Sequence, residues 1–167
     1  EWRTVMVGTA SILTSNRGVV FALDVTNPRT PRLLWETTLP GSGLGRSRGA
    51  AINRAGDGSD AAPRVIVTAG TAGRLEADGT PAPLTGSYGI MACALDLAAG
   101  RLLWQFVAPY TGDAVNLAEP PTAPALMTAA GSSRVDSVVF GDLSGRLWAL
   151  DPESGVPFGG QPVWQSP

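Results

Sequence analysis

CALDLAAGRLLWQF, residues 93–106, is rich in Ala, Leu and Arg and reads at first as an amphipathic helix. Its neighbours along the chain exclude that reading. F-A-L-D-V at 21–25 is followed by L-L-W-E at 33–36, C-A-L-D-L at 93–97 by L-L-W-Q, and W-A-L-D-P at 148–152 by V-W-Q at 163–165. Three Ala-Leu-Asp copies, ending at Asp24, Asp96 and Asp151, each precede a tryptophan, at Trp35, Trp104 and Trp164. The interval from Asp to Trp is 11, 8 and 13 residues. A helix that absorbed three extra residues would rotate its face by most of a turn, whereas a turn between two strands takes the variation up. The spacers agree: Thr-Asn-Pro-Arg-Thr-Pro at 26–31 and Pro-Glu-Ser-Gly-Val-Pro at 152–157 are turn material.

A β-branched run precedes each copy: TVMVG (4–8), RVIVTAG (64–70) and SVVFG (137–141). A further short apolar stretch precedes two of them, GAAIN (49–53) and APALM (123–127). The repeating unit is therefore four strands, and the first unit lacks its leading strand. Units of this size and pattern predict blades of a β-propeller. The expected fold is all-β: a β-propeller segment of about three four-stranded antiparallel blades, the first incomplete, at approximately 1–40, 41–112 and 113–167. Three blades do not close a ring, so the remainder of the same propeller is itself an expected partner. In this reading Asp24, Trp35, Asp96, Gly100, Trp104, Asp151 and Trp164 are blade-packing positions. Each carboxylate hydrogen-bonds turn amides at a strand end, and each indole covers a neighbouring sheet.

Composition narrows the chemistry. The chain of 167 residues has 21 Gly and 14 Pro, high for a helical protein and below the level of disorder. Its net charge of −2 leaves no electrostatic footprint for nucleic acid. All 12 basic residues are Arg and there is no His, so Ser-His-Asp and Cys-His catalysis and imidazole zinc sites are excluded. Cys93 is the single cysteine, which excludes an internal disulfide. No apolar run is long enough to span a bilayer as a helix. The opening EWRTVMVG is strand-like and shows no signal peptide; it reads as a cut through a larger chain.

Few residues suggest a bound group. NRAGDGSDA (53–61) starts like a calcium loop, with Asn53, Asp57 and Asp60 as weak candidates, but Ala55 and Arg64 stand where ligands are wanted. PGSGLGRSRG (40–49) fails the dinucleotide pattern, because Arg46 takes the last glycine position and no helix follows. Arg46 and Arg48 read as a solvated loop. Residues 71–86 form the one long loop within a unit. No catalytic residue and no cofactor is expected.

Two resemblances follow from these residues. ALDLAAGRLLW (94–104) resembles the tryptophan-docking motif of quinoprotein-like propellers through Ala94, Asp96, Gly100 and Trp104. WRTVMVG and GVVFALDVTNP with LLWE, within 2–36, resemble the PilY-type proteins of type IV pili, the tip-associated adhesins. So does DSVVFGDLSGRLWALD (136–151), through Gly141, Asp142, Leu143, Gly145, Leu147, Trp148 and Asp151. This resemblance implies a non-enzymatic C-terminal propeller segment acting in pilus biogenesis, extension and retraction, and tip adhesion. The implied partners are minor pilins or other tip proteins, and the implied location is extracellular, at the cell surface or pilus tip. Some relatives carry a calcium loop before the last of these stretches. Here its positions are Thr128, Ala130, Ser132 and Asp136, so Asp136 alone is acidic and calcium is not carried over. The alternative is another quinoprotein-like propeller, either a pyrroloquinoline-quinone-dependent dehydrogenase with calcium or an outer-membrane assembly scaffold.

Overall fold

The structure is a computed structural model that describes residues 2–12, 17–39, 47–53, 62–69, 92–106, 122–131, 134–142 and 145–166. Among these residues there is no α-helix, and eleven strands form three antiparallel sheets. The first sheet holds β1 (Val5–Ile12), β2 (Arg17–Asp24) and β3 (Arg32–Thr38). The second holds β4 (Ser47–Asn53), β5 (Arg64–Ala69), β6 (Ala92–Asp96) and β7 (Leu102–Phe106). The third holds β8 (Ala125–Met127), β9 (Ser137–Gly141), β10 (Arg146–Leu150) and β11 (Trp164–Gln165). Each sheet is a meander in chain order, and the first has three strands where the others have four. The stretch at 123–127 is a strand only from Ala125 on. The loop at 71–86 and residues 40–46 lie outside the described residues.

Side-chain alternation explains why some strands look amphipathic and others apolar throughout. In the middle sheet Val65, Val67, Cys93 and Leu95 point to the first sheet, where they bury Val20, Ala22, Trp35 and Leu39. Ile66, Ala92, Ala94, Trp104 and Phe106 point the other way, onto Val138, Phe140, Trp148 and Leu150 of the third sheet. The middle sheet is thus covered on both faces, so β5 and β6 have no polar side. The first and third sheets each keep one face uncovered by any described residue, and exposed Met6, Leu33, Met127 and Trp164 lie on them.

The Ala-Leu-Asp copies have a structural reason. The register shifts between Ala22 and Leu23 and again between Ala94 and Leu95, because the strand that carries the tryptophan has one extra residue there, Leu34 in β3 and Leu103 in β7, a β-bulge. The bulge leaves Trp35 paired with Ala22 and Trp104 paired with Ala94. A methyl group is what fits beneath a large indole in a cross-strand pair.

Candidate functional site: the joints between sheets

Asp96 and Asp151 build the same turn. Asp96 Oδ1 accepts from the amides of Ala98 and Ala99, both at 2.8 Å, and Gly100 N donates to the Asp96 carbonyl at 2.8 Å. Asp151 Oδ1 accepts from the amides of Glu153 and Ser154 at 2.9 and 2.8 Å, and Gly155 N donates to the Asp151 carbonyl at 2.8 Å. Partial burial pushes the Asp151 carboxyl up, but the hydrogen bonds from Ser154 and Glu153 outweigh it and hold the group below the ordinary value. Each turn ends on a glycine in the left-handed region, with φ 68° at Gly100 and 71° at Gly155.

The tryptophan of the preceding sheet locks onto each turn. Trp35 Nε1 donates to the Leu97 carbonyl at 2.8 Å, and Trp104 Nε1 to the Pro152 carbonyl at 3.1 Å. The indole then lies on the glycine. A Cβ added at Gly100 would stand 2.5 Å from Trp35 Cδ2, and one at Gly155 would stand 2.5 Å from Trp104 Cε3. Thr37 Oγ1 adds a bond to the Gly100 carbonyl at 2.6 Å. Arg64 reinforces the second joint: its Nη1 donates to the Pro152 carbonyl at 3.0 Å, and its Nη2 is 2.5 Å from Glu153 Oε2. These joints convert a sheet-on-sheet contact, which by itself slides, into one with a fixed register.

Gly155, Arg64 and the carbonyls of Leu97 and Pro152 are absent from the sequence-based set. Gly155 carried a usable signal, because it stands four residues after Asp151 as Gly100 stands four after Asp96. Backbone carbonyls leave no such trace.

Asp24 and Trp164 occupy different surroundings. Asp24 Oδ1 accepts from Thr26 N at 3.0 Å, and hydrogen bonding from the Thr26 side chain, with this backbone bond second, holds its carboxyl below the ordinary value, but the fourth residue after it is Pro28. Trp164 is 55% exposed and pairs with Leu147. Two residues earlier than Ala149, Leu147 has the register of Ala92, whose partner is Phe106 rather than Trp104. The cause is an excursion: after Pro157 bridges to Leu150, a 3₁₀ turn at Phe158–Gly160 delays the return of the strand.

A buried ionic cluster supports the third sheet. Asp142 Oδ2 accepts from Arg146 Nε at 2.7 Å and from Trp148 Nε1 at 2.8 Å, with the two charged side chains 3% and 9% exposed. Arg146 also lies over the Trp148 ring, and Phe106 packs against that ring with centroids 4.9 Å apart.

Of the four calcium candidates, the structure describes Asn53 and Asp136. Asn53 is buried at the end of β4, paired with Arg64. Asp57 and Asp60 lie outside the described residues. Asp136 closes its own loop by accepting from Ala129 N at 2.5 Å. Among the described residues no three acidic, Cys or His side chains come together as a metal site, and the single carboxylate at 128–136 does not fit a calcium ion. Cys93 is fully buried, and desolvation pushes its thiol up to about 12, so it is unreactive in the folded chain. No helix among the described residues is long and apolar enough to cross a membrane.

The chain matches no protein-family model and no curated protein. Among solved structures it is similar to the C-terminal domain of PilY1 from Pseudomonas aeruginosa, at 21% identity and a TM-score of 0.58. The likeness covers 99% of this chain and 34% of that one, so the chain spans about a third of the domain it matches. It has the all-β fold of that domain, as three successive sheets of an unclosed β-propeller.

Proposed function

We propose that the chain is a segment of the C-terminal propeller of a type IV pilus protein. In this reading it acts without catalysis, through protein–protein contacts in pilus assembly, extension and retraction and in tip-associated adhesion at the cell surface. Its partners are minor pilins or other tip proteins, together with the remaining sheets of its own ring.

The observation that carries this reading is the co-occurrence of two segments, in order, in one fold. GVVFALDVTNP (18–28) and GDLSGRLWALD (141–151) are the stretches that resemble the PilY-type proteins, and nearly the whole chain matches the PilY1 C-terminal domain in fold. The docking joints alone support only a propeller, since the same indole-on-glycine contact serves any ring of sheets. The site chemistry is consistent with a scaffold. The polar groups described above are spent on holding turns and sheets, and the one thiol is buried.

The test is genetic. Deleting residues 1–167 from the intact gene in a piliated host should reduce surface pili and twitching motility, with porin assembly unchanged. Normal piliation and motility in the deletion strain would overturn the reading. A quinone chromophore in the purified intact protein would favour the dehydrogenase instead, and a porin assembly defect with intact pili would favour the scaffold.

A further inference from the structure

The two joints within the chain follow one rule, and its two outer faces break it. At each inner joint, an indole opposite the Ala of Ala-Leu-Asp meets a turn with glycine four residues after the next Asp. On the outer face of the third sheet the position opposite Ala149 falls in the excursion at 158–162, which contains no tryptophan. On the outer side of the first sheet the glycine position is Pro28. Proline holds φ near −65°, opposite in sign to the two locking glycines. Neither end offers half of a lock.

What the third sheet does offer is Trp164 in the register of Phe106. Phe106 lies on the apolar face of the following sheet, 4.9 Å from the Trp148 ring and 6.2 Å edge-on from Phe140. Cross-strand pairing puts Trp164 on the same face as Leu147, Ala149 and Val139, the face turned away from the middle sheet. Trp164 and Met127 are more than half exposed there. This face continues, in the same direction, the stack that the two inner joints have already made.

We propose that the outer face of the third sheet carries a further β-sheet of the same ring, held by the ring face of Trp164 on apolar side chains and without an indole-to-turn lock. The inference rests on the propeller reading given above. The three sheets of this chain are then one welded block, and its end joint is of a softer kind. The following sheet needs an apolar residue beneath the indole and no glycine in its turn.

Thermal unfolding of the intact protein separates the two kinds of joint through three variants. Trp164→Phe keeps an aromatic face and loses only an indole N–H that has no turn to reach, so its midpoint should stay within about 2 °C of the parent. Trp104→Phe removes a lock and should lower the midpoint by about 3–8 °C. Trp164→Ala should lower it by at least as much as Trp104→Phe, because the apolar contact itself is lost. If Trp164→Phe costs as much as Trp104→Phe, the joint is a lock after all; the inference fails and the propeller reading stands. If Trp164→Ala costs nothing, no sheet covers this face and both fail.

Discussion

Gly100→Ala tests the docking joint at its tightest point. The substitution adds one methyl group and has two separable costs. Holding a non-glycine residue at φ 68° costs about 1–2 kcal/mol. The new Cβ would stand 2.5 Å from Trp35 Cδ2 and 2.8 Å from Thr37 Oγ1, so the indole has to retreat. Overpacking of this kind costs about 1–3 kcal/mol. A retreating indole also stretches its 2.8 Å bond to the Leu97 carbonyl, which contributes about 1 kcal/mol. The total is about 3–6 kcal/mol, a fall in midpoint of about 6–24 °C for a chain of this size. Denaturant and thermal unfolding of the intact protein, followed by circular dichroism, measure it. Gly131→Ala is the control: its φ is 83° and nothing lies within 4 Å of the added Cβ, so only the backbone cost of about 1–2 kcal/mol applies. A second measurement uses Trp35→Ala as background. There the methyl group has no ring to displace and no indole bond to stretch, and the cost of Gly100→Ala should fall toward the control, giving a coupling of about 2–4 kcal/mol. Equal costs at Gly100 and Gly131, or an undiminished cost without Trp35, would refute the reasoning.

Other sites give sharp expectations. Asp142→Ala leaves the Arg146 guanidinium buried without its carboxylate and should cost about 3–5 kcal/mol, while Asp142→Ala combined with Arg146→Met should cost less than the single change; a larger loss in the double variant would contradict this. Cys93 should resist thiol reagents in the folded protein and react at the rate of global unfolding in denaturant, so fast labelling without denaturant would show that the joint between the first two sheets opens locally. The lowered carboxyls of Asp24 and Asp151 stabilise the fold above the unfolded carboxylate value, near pH 4, and that contribution is lost as pH falls through their still lower folded values. Acid titration of stability should therefore be flat down to about pH 4 and then fall, and Asp151→Asn should blunt the fall.

The fold was legible because its chemistry repeats. Ala-Leu-Asp with a later tryptophan is visible three times, and the variable interval between them excludes a helix without any knowledge of contacts. The turn glycine was half legible: Gly100 stood out in the motif, while Gly155 carries the same offset inside a Pro-rich spacer that disguises it. Trp164 was grouped with Trp35 and Trp104 by order along the chain, but register is set by pairing. The five residues at 158–162 shift it by one two-residue step onto the position of Phe106. That shift depends on where a bridge forms after Pro157, which no composition or spacing encodes. The same limit applies to Arg64, whose target is a backbone carbonyl 88 residues away.

The middle sheet has a further consequence, for the order in which the chain leaves the ribosome. β5 and β6 expose Ile66, Ala92 and Ala94 until the third sheet arrives to cover them, and the last strand of that sheet ends at Gln165. At about 5–20 residues per second, the roughly 60 residues after Phe106 take about 3–12 s to emerge. Throughout that interval Val65–Thr68 and Ala92–Leu95 are uncharged, β-prone and bare on one side, the pattern that seeds intermolecular pairing. Arg64 stands immediately before the first of these runs and Asp96 immediately after the second. The charges that fix the finished joints thus also act as gatekeepers while the nascent chain is still incomplete.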